Sequence, residues 1–345
     1  MGLTLEVIAK LAGVSRSTVS RVLNGDKGVR EVTRLRVQEV INSLNFQPNI
    51  AARSLAAGRT GIIGLVIPAG VATLFTDPYF PQLIQGISAA CNAHDYSVML
   101  WVVEPAYEPR AIRQILHSGL LDGVIVSSML IDDPIVQSLH DSNMPFMLIG
   151  RHPILDVNYL DIDNISGGYE ATSYLLHCGC KRVATITGPQ NMIAGLDRYS
   201  GYCRAINSHG LNLDDNLVVE GDFTEAGGYA CMKKLIPYHP DGIFVASDIM
   251  AIGALRALRE NHIQVPDDVA LVGFDDAPIA SLSNPPLTTM RQSTYTMGFK
   301  TLETLLEIII NPSQQTHHVI LDSELVVRQS VSLEKAGVKE VIDYK

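Results

Sequence analysis

The chain begins with a short segment whose apolar residues repeat at the spacing of an α-helix. Leu5, Ile8 and Leu11, with alanines beside them, predict a helix with one buried stripe. Gly13 comes next and can adopt the left-handed conformation that often ends a helix, and Ser15 is a favourable N-cap for a further helix. The pattern therefore predicts two helices joined by a tight turn.

The second predicted helix has an apolar face and a polar face. Val19, Val22 and Leu23 form the apolar face. The polar face carries two arginines and two serines, namely Arg16, Ser17, Ser20 and Arg21. Guanidinium and hydroxyl groups can contact base edges in the major groove of DNA, and arginine to guanine is the commonest such contact. The two helices are typical of a helix-turn-helix DNA-binding motif, with the packing of a plain helical hairpin as the alternative.

A third helix and a linker follow. Residues 29–44 have apolar residues at helical spacing, at Val32, Leu35, Val37, Val40, Ile41 and Leu44. Pro48 ends this pattern, and residues 49–58 contain good helix formers closed by a glycine. Because a helix of about ten residues is not stable alone in water, we expect this linker segment to fold only against a partner.

From Gly61 onwards the pattern changes to short apolar runs separated by helical stretches. The runs lie at 61–68, 97–103, 123–128, 146–151, 159–163, 182–188, 217–223, 242–247 and 269–276. Continuous apolar strands alternating with helices predict parallel sheets covered on both faces. These strands are too many for one sheet of this size, so we expect an α/β body of two doubly wound subdomains, with a ligand cleft at the carboxyl ends of the strands.

Charge is distributed unevenly along the chain. The 345 residues have a formal net charge of −10. Residues 1–60, called the head below, contain nine lysines and arginines and four acidic residues, a local charge of 9 − 4 = +5, so the remaining residues, called the body, carry −10 − 5 = −15. A basic head on an acidic body indicates a polyanion partner for the head alone, and its binding should weaken as salt rises.

The composition excludes several other classes of protein. The sequence has no run of eighteen apolar residues, and Glu6 and Lys10 interrupt the region where a secretory signal would be apolar. We therefore expect a cytoplasmic protein that does not enter a membrane. Five cysteines in a chain of this size form no disulfide framework. His177, Cys178 and Cys180 do not complete a zinc-binding set, so no metal or other cofactor is expected.

Polar residues at the predicted strand ends could hold a ligand. They include acids, an arginine, two aromatic residues, an asparagine and a serine, at Asp77, Tyr79, Phe80, Arg151, Asp163, Asn164, Ser247, Asp248, Asp275 and Asp276. Carboxylates accept hydrogen bonds from hydroxyl groups and aromatic faces cover apolar CH groups, so this combination indicates a sugar site. The alternative is structural, because the acids can cap the helices that follow the strands and the aromatic residues can belong to the core.

Catalysis has no support in the sequence. Asp275 and Asp276 could suggest glycoside hydrolysis, but adjacent residues on a strand point in opposite directions and cannot easily flank one bond. The sequence contains no nucleophile elbow, no His-Glu-x-x-His motif and no Walker loop.

With these residues identified, the chain resembles the lactose repressor family of bacterial transcription regulators over about residues 3–330. Five segments carry the resemblance: Val-Ile-Ala-Lys-Leu-Ala-Gly-Val-Ser at 7–15, Thr-Val-Ser-Arg-Val-Leu-Asn at 18–24, Pro48-Asn49 with Leu55-Ala56, Val-Pro-Asp-Asp-Val-Ala-Leu-Val-Gly-Phe-Asp at 265–275, and Pro-Pro-Leu-Thr-Thr-Met-Arg-Gln at 285–292. Periplasmic sugar-binding proteins share the two-lobed body fold but have a signal peptide and no DNA-binding head.

The resemblance implies roles for residues of the head. Arg16, Ser17 and Arg21 match the family's base-contacting positions. The positions that match phosphate contacts are Thr4, Ser15, Thr18, Ser20, Asn24 and Thr33. Leu55, with Asn49 in the same linker, matches the hinge-helix leucine that is inserted into the minor groove and kinks the operator.

In the body, the family's effector contacts correspond to Tyr79, Phe80, Arg151, Asp163, Arg198, Asp248, Asp275 and Gln292. Two positions depart from the family pattern. Ser247 stands where many relatives have an asparagine that binds the effector, and Arg30 stands where a serine usually caps the third helix. We therefore expect the effector to differ from that of a given relative and the third helix to begin differently.

The resemblance also implies the domain organisation and the assembly. The divisions are a DNA-binding domain at 1–47, a hinge helix at 48–60, an N-terminal lobe of 61–161 and 291–322, a C-terminal lobe of 162–290 and 323–335, and a tail of 336–345. The chain after Val331 has no leucine heptads, so we expect a homodimer rather than a tetramer.

The sequence thus predicts a regulator, most simply a repressor, whose homodimer binds a pseudo-palindromic double-stranded DNA operator under the control of a small molecule such as a mono- or disaccharide. Alternatives are a cytoplasmic sugar sensor that acts through protein partners, a regulator with a purine corepressor, and, more distantly, an enzyme on the same scaffold. Whether the effector releases or promotes operator binding stays open.

Overall fold

The computed structural model describes residues 3–23, 26, 28–46, 59–68, 71–103, 107–127, 130–312 and 315–332. The chain divides into two compact units, Met1–Gly61 and Ile62–Lys345. The first is a small helical unit and the second is an α/β unit. Among the described residues, no helix has the length and apolar character needed to cross a bilayer.

The first unit contains three helices, α1 (Leu5–Ala12), α2 (Arg16–Leu23) and α3 (Glu31–Ser43). The turn between α1 and α2 forms as the sequence predicts. Gly13 has a φ of 66°, a left-handed conformation that glycine adopts without strain, and its N–H donates to the carbonyl oxygen of Ala9. The Ser15 hydroxyl accepts a hydrogen bond from the N–H of Thr18 at 3.2 Å, which caps α2.

The core of this unit is narrower than the sequence pattern indicates. Its buried residues are Ile8, Ala9, Ala12, Val19, Val22, Val29, Val37, Ile41 and Phe46. The prediction that Leu11 is buried is wrong, because α1 faces its neighbours through Ile8, Ala9 and Ala12 and leaves Leu11 59% exposed. Val32 and Leu35 are likewise 72% and 61% exposed, since α3 packs mainly through Val37 and Ile41. Arg30 occupies the N-cap position of α3, and its side chain makes no capping hydrogen bond.

The second unit contains two six-stranded sheets, which define an N-terminal and a C-terminal lobe. The first sheet has the spatial order β11-β5-β4-β3-β1-β2, and all its paired strands are parallel. Its strands are β1 (Ile62–Ile67), β2 (Ser97–Val102), β3 (Gly123–Val126), β4 (Phe146–Ile149), β5 (Tyr159–Ile162) and β11 (His318–Leu321). Helices of this lobe are α4 (Val71–Thr76), α5 (Tyr79–Ala93), α6 (Glu108–His117), α7 (Pro134–His140) and α13 (Thr294–Ile310).

The second sheet has the order β12-β10-β9-β8-β6-β7, in which only β12 is antiparallel to its neighbour. Its strands are β6 (Val183–Thr187), β7 (Val218–Glu220), β8 (Gly242–Val245), β9 (Ala270–Asp275), β10 (Thr288–Arg291) and β12 (Glu324–Val326). Helices of this lobe are α8 (Asn164–His177), α9 (Ile193–Ser208), α10 (Glu225–Leu235), α11 (Asp248–Glu260) and α12 (Pro278–Leu282).

Each sheet is covered by apolar residues on both faces, as the continuous apolar runs predict. Two apolar clusters lie on the two faces of the first sheet and two on those of the second. The apolar runs do not predict β10, β11 and β12. These strands have three or four residues, β10 contains two threonines, and β11 and β12 are half-exposed edge strands, so none of them has a long apolar run.

Within residues 62–332, as far as they are described, the chain passes between the lobes after Ile162, after Arg291 and after Leu321. Helices α8 and α9 of the C-terminal lobe cross in backbone contact. A Cβ atom at Gly168 would lie 2.3 Å from the carbonyl oxygen of Arg198, and one at Gly201 would lie 2.3 Å from that of Ile165. This close crossing fixes the first turns of α9, which face the other lobe.

Candidate functional site

A cavity lies between the two lobes at the carboxyl ends of their central strands. Its polar lining comes from both sheets and consists of Asp77, Tyr79, Ser127, Asp161, Asn164, Arg198, Ser247, Asp275 and Gln292. Apolar side chains complete the wall, among them Ile149, Met192, Ile193, Phe223, Ile249 and Met297. The position agrees with the rule that ligands of parallel α/β sheets bind beyond the carboxyl ends of the strands.

Arg198 is the central cation of the cavity. Its side chain is 5% exposed and lies over the ring of Phe274, with the guanidinium carbon 3.7 Å from the ring centroid. Nε donates to Oδ1 of Asn164 at 2.8 Å and Nη1 donates to the carbonyl oxygen of Ala246 at 2.6 Å. Nη1 also lies 3.3 Å from Oδ1 of Asp275. These contacts fix the plane of the guanidinium within the cavity wall.

Asp275 ends β9 and turns the chain into the cavity with a φ of 114°, which is rare for a residue with a side chain. Its Oδ1 accepts a hydrogen bond from Nε2 of Gln292 at 2.6 Å. Burial raises the pKa of its carboxyl group to about 7, and the charge of Asp77 acts in the same direction, against the opposing effect of Arg198. Asp275 therefore titrates close to neutral pH.

The N-terminal lobe contributes two carboxyl groups and a phenol. Asp77 accepts a hydrogen bond from the N–H of Tyr79 at 2.9 Å, and burial raises its pKa. Burial also raises the pKa of Asp161 to about 6, although hydrogen bonds from Ile162 and Arg151 oppose this shift. Tyr79 stays protonated because burial and the two nearby carboxyl groups raise its pKa further.

The charge balance of the lining favours a neutral ligand with many hydroxyl groups. Three carboxyl groups, at Asp77, Asp161 and Asp275, share the cavity with the single guanidinium of Arg198. The carboxyl groups would repel an anion, whereas hydroxyl groups can donate to them and accept from Arg198. Tyr79 and Phe223 supply aromatic rings for the apolar faces of a sugar.

Four of the eight residues predicted as effector contacts line this cavity, namely Tyr79, Arg198, Asp275 and Gln292. The structure places the other four elsewhere. Phe80 is fully buried in the core of the N-terminal lobe, because adjacent residues of a helix point about 100° apart and Tyr79 takes the direction of the cavity. Asp163 caps α8 by accepting a hydrogen bond from the N–H of Ser166 at 2.9 Å, which is the structural alternative considered above.

Asp248 and Arg151 do not line the cavity, and both are engaged by other groups of the protein. Asp248 is fully buried and accepts hydrogen bonds from the hydroxyl of Thr289 at 2.6 Å and from the N–H of Ala277 at 2.8 Å. Ser247, not Asp248, caps α11. Arg151 forms ion pairs with Asp161 and Asp197. Both side chains therefore support the site instead of lining it.

Five polar residues of the lining are not among the positions matched to the family's effector contacts: Asp77, Ser127, Asp161, Asn164 and Ser247. Asp77, Asn164 and Ser247 are nevertheless among the strand-end residues predicted to hold a ligand. Asp161 lies inside β5, where its carboxyl group in an otherwise apolar strand is the available signal.

The polar face of α2 is exposed as a DNA-contacting surface requires. The side chains of Arg16 and Arg21 are 68% and 54% exposed and pair with Glu6 at 3.1 Å and with Asp26 at 2.7 Å. Such exposed pairs are weak in water and can be exchanged for DNA contacts. Ser15 and Ser17 are exposed beside them, and Thr18 and Ser20 are half-buried.

The remaining predicted DNA contacts lie away from α2 or outside the described residues. Thr4 is exposed before α1, and Thr33 is half-buried on α3. Asn24, Asn49 and Leu55 lie outside the described residues. The metal alternative at His177, Cys178 and Cys180 gains no support, because no group of three or more potential metal ligands occurs among the described residues.

Comparison with known proteins finds two family profiles in the chain. Residues 4–49 match the bacterial regulatory proteins of the lacI family, and residues 172–331 match the periplasmic binding protein-like domain. The HTH-type transcriptional regulator CelR of Thermobifida fusca is 39% identical over 332 residues, which cover 95% of this chain and 98% of CelR.

Two solved structures are similar over nearly the whole chain. A complex of the transcriptional regulator CelR with cellobiose has a TM-score of 0.76 at 36% identity and covers 95% of this chain and 100% of its own. The lac repressor dimer bound to operator and the anti-inducer ONPF has a TM-score of 0.85 at 25% identity and covers 96% and 100%. The likeness therefore includes the DNA-binding unit and the two-lobed body together.

Proposed function

Because this chain belongs to the lacI family of bacterial regulatory proteins, we propose that a sugar bound in the interlobe cavity controls its binding to a DNA operator. DNA binding and transcription regulation follow from the family. The observation that carries the choice of ligand is the lining, in which three carboxyl groups surround one fixed guanidinium. In this proposal the cavity binds its sugar without transforming it.

Within this proposal, a disaccharide of the cellobiose type is the first ligand to test. A CelR complex with cellobiose shares the fold at 36% identity, and the cavity of this chain combines polar groups with two aromatic rings, as a site for a small polar molecule requires. We take cellobiose as the probe in the experiments below. Monosaccharides and other disaccharides belong in the same screen, because Ser247 removes an amide at a position where relatives bind their effectors.

We assign the operator contacts to the polar face of α2 and the switch to the segment that joins the two units. Arg16, Ser17 and Arg21 contact bases, and Thr4, Ser15, Thr18, Ser20, Asn24 and Thr33 contact phosphates.

Residues 48–60, with Asn49 and Leu55, form the hinge that binds the minor groove. The lobe boundaries implied by the resemblance, 61–161 with 291–322 and 162–290 with 323–335, are shifted by one residue at Ile162, which ends β5, and at Arg291, which ends β10. Sugar binding changes lobe closure and thereby the spacing of two hinges.

The proposed assembly is a homodimer that acts in the cytoplasm on the nucleoid. A solved structure of similar fold is a dimer on its operator. A dimer matches a pseudo-palindromic operator, because each subunit supplies one recognition helix to one half-site.

Arg16→Ala should relax base preference at one position in each half-site. A bidentate arginine to guanine contact discriminates by about tenfold or more, and alanine removes it without disturbing the core. Selection of binding sites from a random DNA pool, performed with the full chain and the variant, measures this change. Arg36→Ala, an exposed arginine on α3, is the matched control. A loss spread evenly over all sequences would assign Arg16 to phosphate.

Sugar binding should weaken as pH falls from 8 to 6. Hydroxyl groups donate to an ionised carboxylate, so a sugar favours the charged form of Asp275, whose pKa is raised to about 7 by burial. Below that pKa the site must lose a proton when it binds, so affinity should fall by up to about tenfold and level off above pH 8. Calorimetry in two buffers of different ionisation enthalpy measures the released proton, and Asp275→Asn should flatten the profile. An unchanged affinity from pH 6 to 8 would contradict this assignment.

A further inference from the structure

An ion pair between Arg151 and Asp197 joins the two lobes beside the cavity. Arg151 follows β4 in the N-terminal lobe, and Asp197 lies on α9 in the C-terminal lobe. Nη2 of Arg151 donates to Oδ1 of Asp197 at 2.8 Å, and Nη1 donates to Oδ2 of the same carboxylate. The guanidinium thus binds both oxygens of a carboxylate on the other lobe, which is the strongest geometry for such a pair.

The pair is largely removed from water. The side chain of Asp197 is 5% exposed and that of Arg151 is 29% exposed, and Nη1 of Arg151 also lies 3.3 Å from Oδ2 of Asp161. A buried charge without its partner is costly, so this geometry is favourable only while the lobes are close together. When the lobes separate, water hydrates the guanidinium and the carboxylate, and the electrostatic attraction between them no longer stabilises the closed arrangement.

The pair is also connected to the cavity through its neighbours. Asp161 lines the cavity, and Asp197 precedes Arg198, the central cation of the lining. The second turn of α9 therefore faces the other lobe with Asp197 and the cavity with Arg198. A backbone hydrogen bond also joins the lobes, where the N–H of Ile131 donates to the carbonyl oxygen of Asn191 at 2.9 Å.

We propose that Arg151 and Asp197 form an interlobe latch: they do not contact the effector, but they stabilise the closed arrangement in which Arg198 is positioned for it. Both are positioning residues in this account. The effect on sugar affinity rests on the proposed function, whereas the effect on lobe closure does not. The sequence-based assignment of Arg151 as an effector contact is replaced by this role.

The test uses the full chain with Asp197→Asn, which keeps the size of the side chain and removes its charge. The first readout is amide hydrogen exchange at Ile131 without ligand, because this N–H is protected by a carbonyl of the other lobe. We expect exchange at Ile131 to rise by about tenfold, and cellobiose affinity, where cellobiose binds, to fall by a similar factor. Asp214→Asn is the matched control, since Asp214 pairs with Arg182 inside one lobe.

Arg151→Lys separates a latch from a direct contact. Lysine keeps the charge but cannot make the bidentate contact. The exchange rate at Ile131 should therefore lie between the rates in the native chain and in Asp197→Asn. Weaker cellobiose binding with unchanged exchange in both variants would make Arg151 a ligand contact and overturn the proposal. Faster exchange at Ile131 in Asp197→Asn, together with no sugar binding by the native chain, would support the latch and reject a sugar as the effector. Unchanged exchange at Ile131 in Asp197→Asn overturns the latch whatever the sugar does.

Discussion

Replacing Arg198 with methionine should weaken cellobiose binding by about 100-fold or more. The guanidinium is 5% exposed and donates to Asn164, Ala246 and Asp275 while it stacks on Phe274. A hydrogen bond from a charged donor contributes about 1.5–3 kcal/mol, and methionine removes every such donor that Arg198 could offer to the hydroxyl groups of the sugar. Calorimetric titration of the full chain with cellobiose measures the effect.

Two further variants define what Arg198 contributes. Arg198→Lys keeps the positive charge but not the planar fork, so its loss of affinity should be intermediate. Arg204→Met is the matched control, because Arg204 lies exposed on the same helix with its guanidinium 5.4 Å from the ring of Tyr169. Native affinity in Arg198→Met would place the ligand outside the interlobe cavity.

Val19→Asn should abolish operator binding and leave cellobiose binding nearly unchanged. Val19 is fully buried in a core of nine residues, and its replacement removes apolar contacts and buries an amide without a partner. Such a change costs about 3 kcal/mol, a large fraction of the stability of a domain this small. The body belongs to a separate compact unit, so its ligand site should survive.

The control for this variant is Val32→Asn, which makes the same substitution at a side chain that is 72% exposed. Fluorescence anisotropy with the palindrome selected from the random pool measures operator affinity, and calorimetry measures cellobiose affinity. An equal loss of operator affinity in both variants would mean that the introduced amide group, and not disruption of the core, causes the loss. Loss of cellobiose binding in Val19→Asn alone would mean that the two units do not fold independently.

The sequence predicts those parts of the fold that depend on local chemistry. Gly13 and Ser15 specify the turn between α1 and α2, and both act in the structure as predicted. The apolar runs predict the central strands of both sheets, because a strand that is buried on both faces consists of consecutive apolar residues. The edge strands β11 and β12 are short and half-exposed, so they leave no such signal.

The cavity could be predicted only in outline, since side-chain direction depends on tertiary packing. Tyr79 and Phe80 are neighbours in sequence, yet the first lines the cavity and the second is core. Arg151 stands at a strand end, a position that indicates a ligand contact. In the structure its guanidinium instead binds the carboxylate of Asp197, 46 residues later. Asp161 lies in a buried strand and enters the lining only because two sheets face each other.

The central claim is that a ligand in the interlobe cavity changes the affinity of the chain for DNA. The most direct measurement is the affinity of the full chain for its selected palindrome with and without saturating cellobiose, for the native chain and for Arg198→Met. The account predicts a change of at least about tenfold in the native chain and none in the variant, which corresponds to about 1.4 kcal/mol of coupling. Tight cellobiose binding with the same operator affinity in both conditions would contradict it.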